Sequence, residues 1–376
     1  TIVTCVRGDG CQARGVIGPG SRSVYVSATA AYVWVAAEEA WGLSDDPEEA
    51  EAGRGAVLYR LPFDGGPVGA VRVGGSPTDA FSFKERGGQL YVLLRGFGGG
   101  DAMWGAETVA GDVALLTVPL SAFGANVART TARAYRELPV PPRSGYRFHN
   151  RFVGDHVVYG NGTGGYIEAM RERSAAIVAA YVGSSRVERL PLGHAIDRIE
   201  ALGDDAVVVG QNRGGDLVFS SLALDGSPRV VSRFVRPHAQ QGEERSHGFF
   251  FRAHGPRSGV LGLPIRNPQG FEDEYLLHGS AAMQFLRVDA LSLTSLGTIA
   301  ATPDERSDNC VVSCVDWYGN ARPIFVGDRI FALMGYELIE ASATAGRVRE
   351  IARVDLLTHH CGGSVERDTL QSAKHQ

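Results

Sequence analysis

His238, Glu243, Glu244 and His247 fall within ten residues and bring enough nitrogen and oxygen donors for a divalent metal ion. Their spacing is not His-Glu-x-x-His, and they lie in a polar run ahead of an apolar one, so the bland reading is a solvated loop. His238, His247 and Glu243 are carried forward as candidate ligands on that footing. His359-His360-Cys361 is a second cluster, which loses its sulfur ligand if Cys361 is oxidised to a disulfide. Asp45, Asp46, Glu48, Glu49 and Glu51 form an acidic run that could hold a structural ion such as calcium, but without the Asp-x-Asp-x-Asp-Gly spacing of a dedicated loop.

Gly160-Asn161-Gly162-Thr163-Gly164-Gly165 matches Gly-x-Gly-x-x-Gly directly after a strand-like run, with a helix-friendly stretch at 168–176 behind it. A dinucleotide site needs a strand–helix–strand unit in a parallel sheet, and the surrounding hairpin pattern supplies neither, so a turn is expected. No Gly-x-Ser-x-Gly elbow or Ser-x-x-Lys site declares itself, and nucleophilic hydrolysis has no sequence support.

Five cysteines remain: Cys5, Cys11, Cys310, Cys314 and Cys361. None forms Cys-x-x-Cys, which argues against a zinc ribbon, a thioredoxin-type motif and covalent haem. Close pairs in polar, Gly- or Asp-containing loops read as disulfides in an oxidising compartment, hence a secreted, periplasmic or cell-surface setting. Two pairings are open. Either Cys361 bonds Cys5 or Cys11 while Cys310 pairs with Cys314, or Cys5–Cys11 and Cys310–Cys314 form and Cys361 stays free.

The elements that must position these groups are short. Runs such as 31–36, 89–94, 156–159, 206–209 and 329–333 are β-type, and turns at Gly87-Gly88, Gly154-Asp155, Gly203-Asp204 and Gly327-Asp328 precede several of them. The 49 glycines fit many tight turns better than long helices. With 44% hydrophobic and 21% charged residues the chain can bury a large core. A net charge of −5, with lysine only at Lys84 and Lys374, shows no nucleic-acid footprint, and no apolar run is long enough for a membrane helix.

A unit recurs: a strand after Gly-Asp, a polar loop, then an apolar-x-apolar strand, as in 203–209 with 216–222, 327–333 with 337–341, and 88–94 with 112–118. Its period of about 40–60 residues is that of a propeller blade. The expected fold is therefore all-β: a β-propeller of four-stranded antiparallel blades, six in number with a seventh conceivable, filling 1–376 as one domain. Residues 1–22 form a Cys-containing N-terminal segment and 362–376 an irregular tail. First strands are expected near Val68, Ala132, Arg186, Arg229, Ser295 and Arg347. The run 23–63 would lack a first strand of its own, so 347–354 is expected to pair with it and close the ring.

Ser246-His247-Gly248-Phe249-Phe250-Phe251, Gly259-Val260-Leu261-Gly262-Leu263-Pro264-Ile265 and Phe325-Val326-Gly327-Asp328-Arg329-Ile330-Phe331-Ala332-Leu333 resemble bacterial secreted proteins with a C-terminal β-propeller domain. Ala80-Phe81-Ser82-Phe83 followed by 87–92 is similar to the same family. The resemblance spans most of the chain and implies a propeller in a secreted or surface setting, with no functional residue to carry over; the Cys310–Cys314 insertion departs from the pattern. The expected function is a non-catalytic binding or assembly module for a protein or other extracellular ligand, with loops 40–54, 98–110 and 236–246 as recognition elements. The alternatives are a hydrolase or lyase with a metal or His/Glu pair at the central funnel, and a structural subunit of an extracellular assembly.

Overall fold

The computed structural model describes residues 1–6, 10–18, 20, 22–36, 55–99, 108–141, 147–162, 174–266, 281–302, 321–334, 337–344 and 346–356. Cys310, Cys314, Cys361, His359, His360, the acidic run 45–51 and the tail 362–376 lie outside them.

The N-terminal hairpin pairs β1 (Ile2–Val6) with β2 (Gly10–Arg14), and Cys5 stands directly opposite Cys11 with Cα atoms 4.1 Å apart. The two are joined by a disulfide, which leaves no sulfur on either for Cys361. The body is made of sheets built from consecutive strands. The first holds β3 (Arg22–Val26), β4 (Ala30–Ala36), β5 (Gly55–Pro62) and β6 (Gly69–Gly74); the second holds β7 (Phe83–Arg86), β8 (Gln89–Gly99), β9 (Thr108–Pro119) and, after the short β10 (Ala128–Arg129) that adds in parallel to β6, β11 (Tyr135–Leu138). The third runs β12 (Phe148–Val153), β13 (His156–Asn161), β14 (Ala175–Ala180), β15 (Val187–Pro191), and the fourth β16 (Arg198–Leu202), β17 (Asp205–Gln211), β18 (Leu217–Ala223), β19 (Arg229–Arg236). A fifth sheet orders β20 (Gln240–Gln241), β22 (Ser258–Arg266), β23 (Ala281–Asp289) and β24 (Ser292–Ala300), with β21 (Phe250–Gly255) on β22. The sixth is β25 (Ala321–Val326), β26 (Arg329–Met334), β27 (Glu337–Thr344) and β28 (Arg347–Asp355). Among the described residues, helix is confined to single 3-10 turns, and no helix is long and apolar enough to cross a membrane.

Two compact units divide the chain. One is residues 1–240, 253–259 and 288–294; the other is 241–252, 260–287 and 295–376. In the first unit the sheets stack in chain order through three apolar layers. Leu58, Val71 and Trp34 meet Leu90, Val92 and Leu116; Leu93, Val113 and Leu115 meet Val157, Tyr159 and Ile177; Val158, Ala176 and Val178 meet Ile199, Ala206, Val208 and Leu222. The two middle sheets are therefore buried on both faces. This is why β14 and β17 read as unbroken apolar runs and not as alternation. The outer strand β19 does alternate, exposed and half-buried by turns. In the second unit Met283, Phe285 and Leu296 pack on Ile330, Ala332 and Ile339.

The strands expected to open each sheet instead end it: β6, β11, β15, β19, β24 and β28 all follow their partners in the meander. The first sheet begins with its own strand β3, and β28 pairs with β27. The exchange expected between 347–354 and the N-terminal sheet is thus not formed. A meander repeat looks alike in any phase, so periodicity alone does not say where one sheet stops.

Part of the Gly-x-Gly-x-x-Gly run departs from the expected turn, while Thr163, Gly164 and Gly165 lie outside the described residues. Gly160 and Asn161 belong to strand β13, which pairs antiparallel on both sides. Gly160 serves close packing, because a Cβ there would overlap Ile196 Cδ1. Ala175 and Ala176, the last residues of the helix-friendly stretch, lie in strand β14, and 168–173 lie outside the described residues.

His194 precedes β16 and is fully buried, with Nδ1 2.7 Å from Ala195 O and Nε2 2.8 Å from Ser220 Oγ. The carbonyl can only accept, so Nδ1 carries the proton and Nε2 accepts from the serine. Burial pushes the imidazole down to about 4. The unfolded chain takes up a proton near pH 6.5 that the folded chain refuses until about pH 4, so this stability is complete above the first value and lost as pH falls toward the second. Urea unfolding at pH 7, 5.5 and 4 is expected to lose about 3 kcal/mol through this group. His194→Gln is expected to flatten that interval.

Candidate functional site

A cavity of about 870 Å³ opens in the first unit where the first-to-second-strand turns of successive sheets converge. Its walls come from 84–86 at the end of β7, from 152–156 at the β12–β13 turn, from Ala201 and 203–205 at the β16–β17 turn, from Leu224 and Asp225 after β18, and from Pro256 and Arg257. Each turn needs glycine: Gly154 has φ +54° and Gly203 φ +72°, a region that side chains with a Cβ rarely adopt. The same glycines let neighbouring turns touch. A Cβ on Gly154 would sit 3.1 Å from Asp204 O, and one on Gly203 3.1 Å from Pro256 O.

The charges inside are largely tied to one another. Arg86 donates to the Asp155 carboxylate, to Gly154 O (3.1 Å) and to Tyr181 OH (3.3 Å), and its guanidinium lies over the Tyr181 ring. Asp205 is buried; it accepts from Leu224 N–H at 2.9 Å and from Arg257 Nε at 2.7 Å. Arg257 also reaches Asp225 at 3.0 Å, and this guanidinium, joined by Arg229, holds the Asp225 carboxyl below its usual range. For Glu85 burial works upward, but hydroxyls of Ser27, Thr29 and Tyr32, each at 2.6 Å, together with Arg60, hold the carboxyl below its ordinary value. Burial lowers His156, with Asp155 opposing in part, so it enters neutral pH as a neutral imidazole. Asp204 is exposed at its turn.

Five carboxylates (Glu85, Asp155, Asp204, Asp205, Asp225) face three cations (Lys84, Arg86, Arg257) in the lining, and no hydroxyl or thiol side chain is among the lining residues. The arrangement can present fixed charges and hydrogen-bond acceptors to a ligand without rearranging, which lowers the ordering cost of binding.

The candidate metal ligands are placed elsewhere. His238 is exposed at φ +50° in the first unit, its N–H donating to Asp216 Oδ1 at 3.0 Å. Glu243 and His247 belong to the second unit, 3.3 Å apart; the buried Glu243 carboxylate also takes the N–H (2.8 Å) and Nε (3.2 Å) of Arg245. Glu244 is exposed beside them. Among the described residues no group of three or more His, Cys, Asp and Glu is placed to hold a metal ion. In the sequence Gly154-Asp155 and Gly203-Asp204-Asp205 read only as turns, and nothing there singles out Glu85, Arg86 or Arg257. The recurrence of Gly-Asp at equivalent turns was the available signal.

No family model matches the chain, and no curated protein matches it. Among solved structures it is similar to a functionally unknown protein from Desulfotomaculum acetoxidans, at 7% identity and TM-score 0.41 over 91% of this chain and 88% of that one. It is also similar to the Nup133 β-propeller domain of Vanderwaltozyma polyspora, at 8% and 0.33 over 88% and 91%. A third is the Aleuria aurantia lectin in complex with Fucα1-6GlcNAc, at 10% and 0.28 over 81% and 93%. These likenesses are too distant to carry a function.

Proposed function

We propose that the chain is a non-catalytic binding module, a single β-propeller of six sheets that works outside the cytoplasm and takes its ligand in the cleft at the strand turns. The cleft carries the reading: its fixed carboxylates outnumber its cations, and the glycine turns beneath them are held backbone to backbone. The Cys5–Cys11 disulfide supports an oxidising compartment. The carboxylate excess favours a peptide segment bearing Lys or Arg, drawn in by charge and therefore sensitive to salt.

The test is selection of a random-peptide display library on the protein at low and at 0.3 M salt. The wild type is expected to enrich basic peptides. The double variant Asp155→Ser, Asp204→Ser should bind them about tenfold or more weakly, which is roughly 1.4 kcal/mol. Its unfolding midpoint should stay close to wild type, because both side chains are solvent-exposed. Equal binding by the variant, or enrichment indifferent to salt, would remove the cleft from this reading.

A further inference from the structure

Arg95 stands apart from the arginines of the cleft. It is only 9% exposed, near the end of β8, with its backbone fixed at both ends by Ser76: N–H to Ser76 O and C=O from Ser76 N–H, each 2.9 Å. That approach depends on Gly75 at φ +82°, where a Cβ would lie 2.9 Å from Arg95 O. The guanidinium lies over the Phe148 ring, 4.7 Å from its centroid. Its Nε is shut off from solvent with no hydrogen-bond acceptor, while its two Nη atoms are not so enclosed. Among the described residues the side chain has no ion pair; Asp112 and Tyr159 act on it through their fields.

A guanidinium shut off from water at its Nε gives up hydration that stacking on a ring restores only in part. A buried Nε without an acceptor recurs at Arg136, Arg236 and Arg322, but those side chains are only half-buried, and those with a bonded fork or carboxylate differ further. Arg198 is 2.9 Å from Glu200, and Arg136 donates to Ala180 O at 2.6 Å. A guanidinium is a planar fork that matches a two-oxygen anion, and this one is stacked and anchored at its Nε side with its two Nη atoms left open.

We propose that Arg95 is the anchor of an anion-binding site that takes a carboxylate or phosphate group in a two-oxygen contact, with Phe148 as the floor beneath the guanidinium. Asp112 sets a limit on that affinity because its charge opposes an incoming anion.

Thermal unfolding and calorimetric titration with inorganic phosphate in one arm and acetate in the other separate the two sources of oxygen. The wild type should be stabilised by at least one of them in a saturable way. Arg95→Leu should lose the effect, Arg95→Lys should weaken it about tenfold by removing the fork, and Asp112→Asn should strengthen it. No saturable response of the wild type to either anion would overturn the proposal, as would an unchanged response in Arg95→Leu. If Arg95→Leu does not fold, Arg95→Lys and the wild-type titration decide: a response equal in the two also overturns it.

Discussion

Replacing Glu200 by alanine is expected to cost about 3–5 kcal/mol of folding free energy, read by urea unfolding near neutral pH. Glu200 is buried on β16 and sits between two guanidiniums, Arg198 on the same strand and Arg151 on β12, each 2.9 Å from one of its carboxylate oxygens. Arg198 is 4% exposed and Arg151 stacks on Phe81, so neither can swing to bulk water without giving up its packing. Removing the carboxylate leaves two cations facing each other across the gap between the third and fourth sheets. The charge is the cause, so a compensating change should repair the loss: Arg198→Met added to Glu200→Leu removes the deeply buried pair and is expected to recover much of it, since Arg151 keeps a side chain 24% exposed to water. A double-mutant cycle over Arg151 and Glu200 should return a coupling of about 1–3 kcal/mol. Additive losses would show that the pair is incidental.

The second large effect involves no charge. Gly210→Ala places a Cβ on top of the Ala195 carbonyl, 2.6 Å from its carbon, and both sides of that contact are main chain. The segment cannot back away, because Ala195 N–H donates to Gln211 O and Asp197 N–H to Val209 O, both at 2.9 Å, clamping it to β17 on either side of the glycine. A loss of about 3 kcal/mol or failure to fold is expected, at the upper end of what overpacking does. Gly160→Ala is the control. There the obstacle is Cδ1 of Ile196, the far end of a side chain that can rotate, and about 1 kcal/mol is expected. Equal losses at the two positions would show that the main-chain clamp does not set the cost.

The local meander was readable in the residues because Gly-Asp and Gly-Gly dipeptides mark hairpins whatever surrounds them, and Gly87, Gly88, Gly154, Gly203 and Gly327 all adopt positive φ. Phase was not readable. Strands such as 198–202, with Arg198 and Glu200, look polar, and only the pairing of the folded chain reveals that they open a sheet and bury those charges against each other. Gly160 and Gly210 carried the opposite trap: both resemble turn glycines in the sequence, yet both lie within strands where another backbone or side chain presses close. The cleft was hidden because its residues come from turns some fifty to seventy positions apart, such as Arg86 and Asp155 or Asp205 and Arg257. Of the candidates His238, Glu243 and His247, which lie close in sequence, Glu243 and His247 stand 3.3 Å apart, and the Glu243 carboxylate is also taken by Arg245.

At Gly154 and Gly203 the main chains of neighbouring cleft turns come close, a Cβ at either falling within 3.1 Å of the next turn's carbonyl oxygen. Shape and lettering are thereby uncoupled at this mouth. Asp204, exposed at its turn, can be exchanged for other residues without the scaffold beneath noticing, while Arg86 with Asp155 and Arg257 with Asp205 belong to the frame. A designer rewriting this rim keeps those pairs and changes the rest.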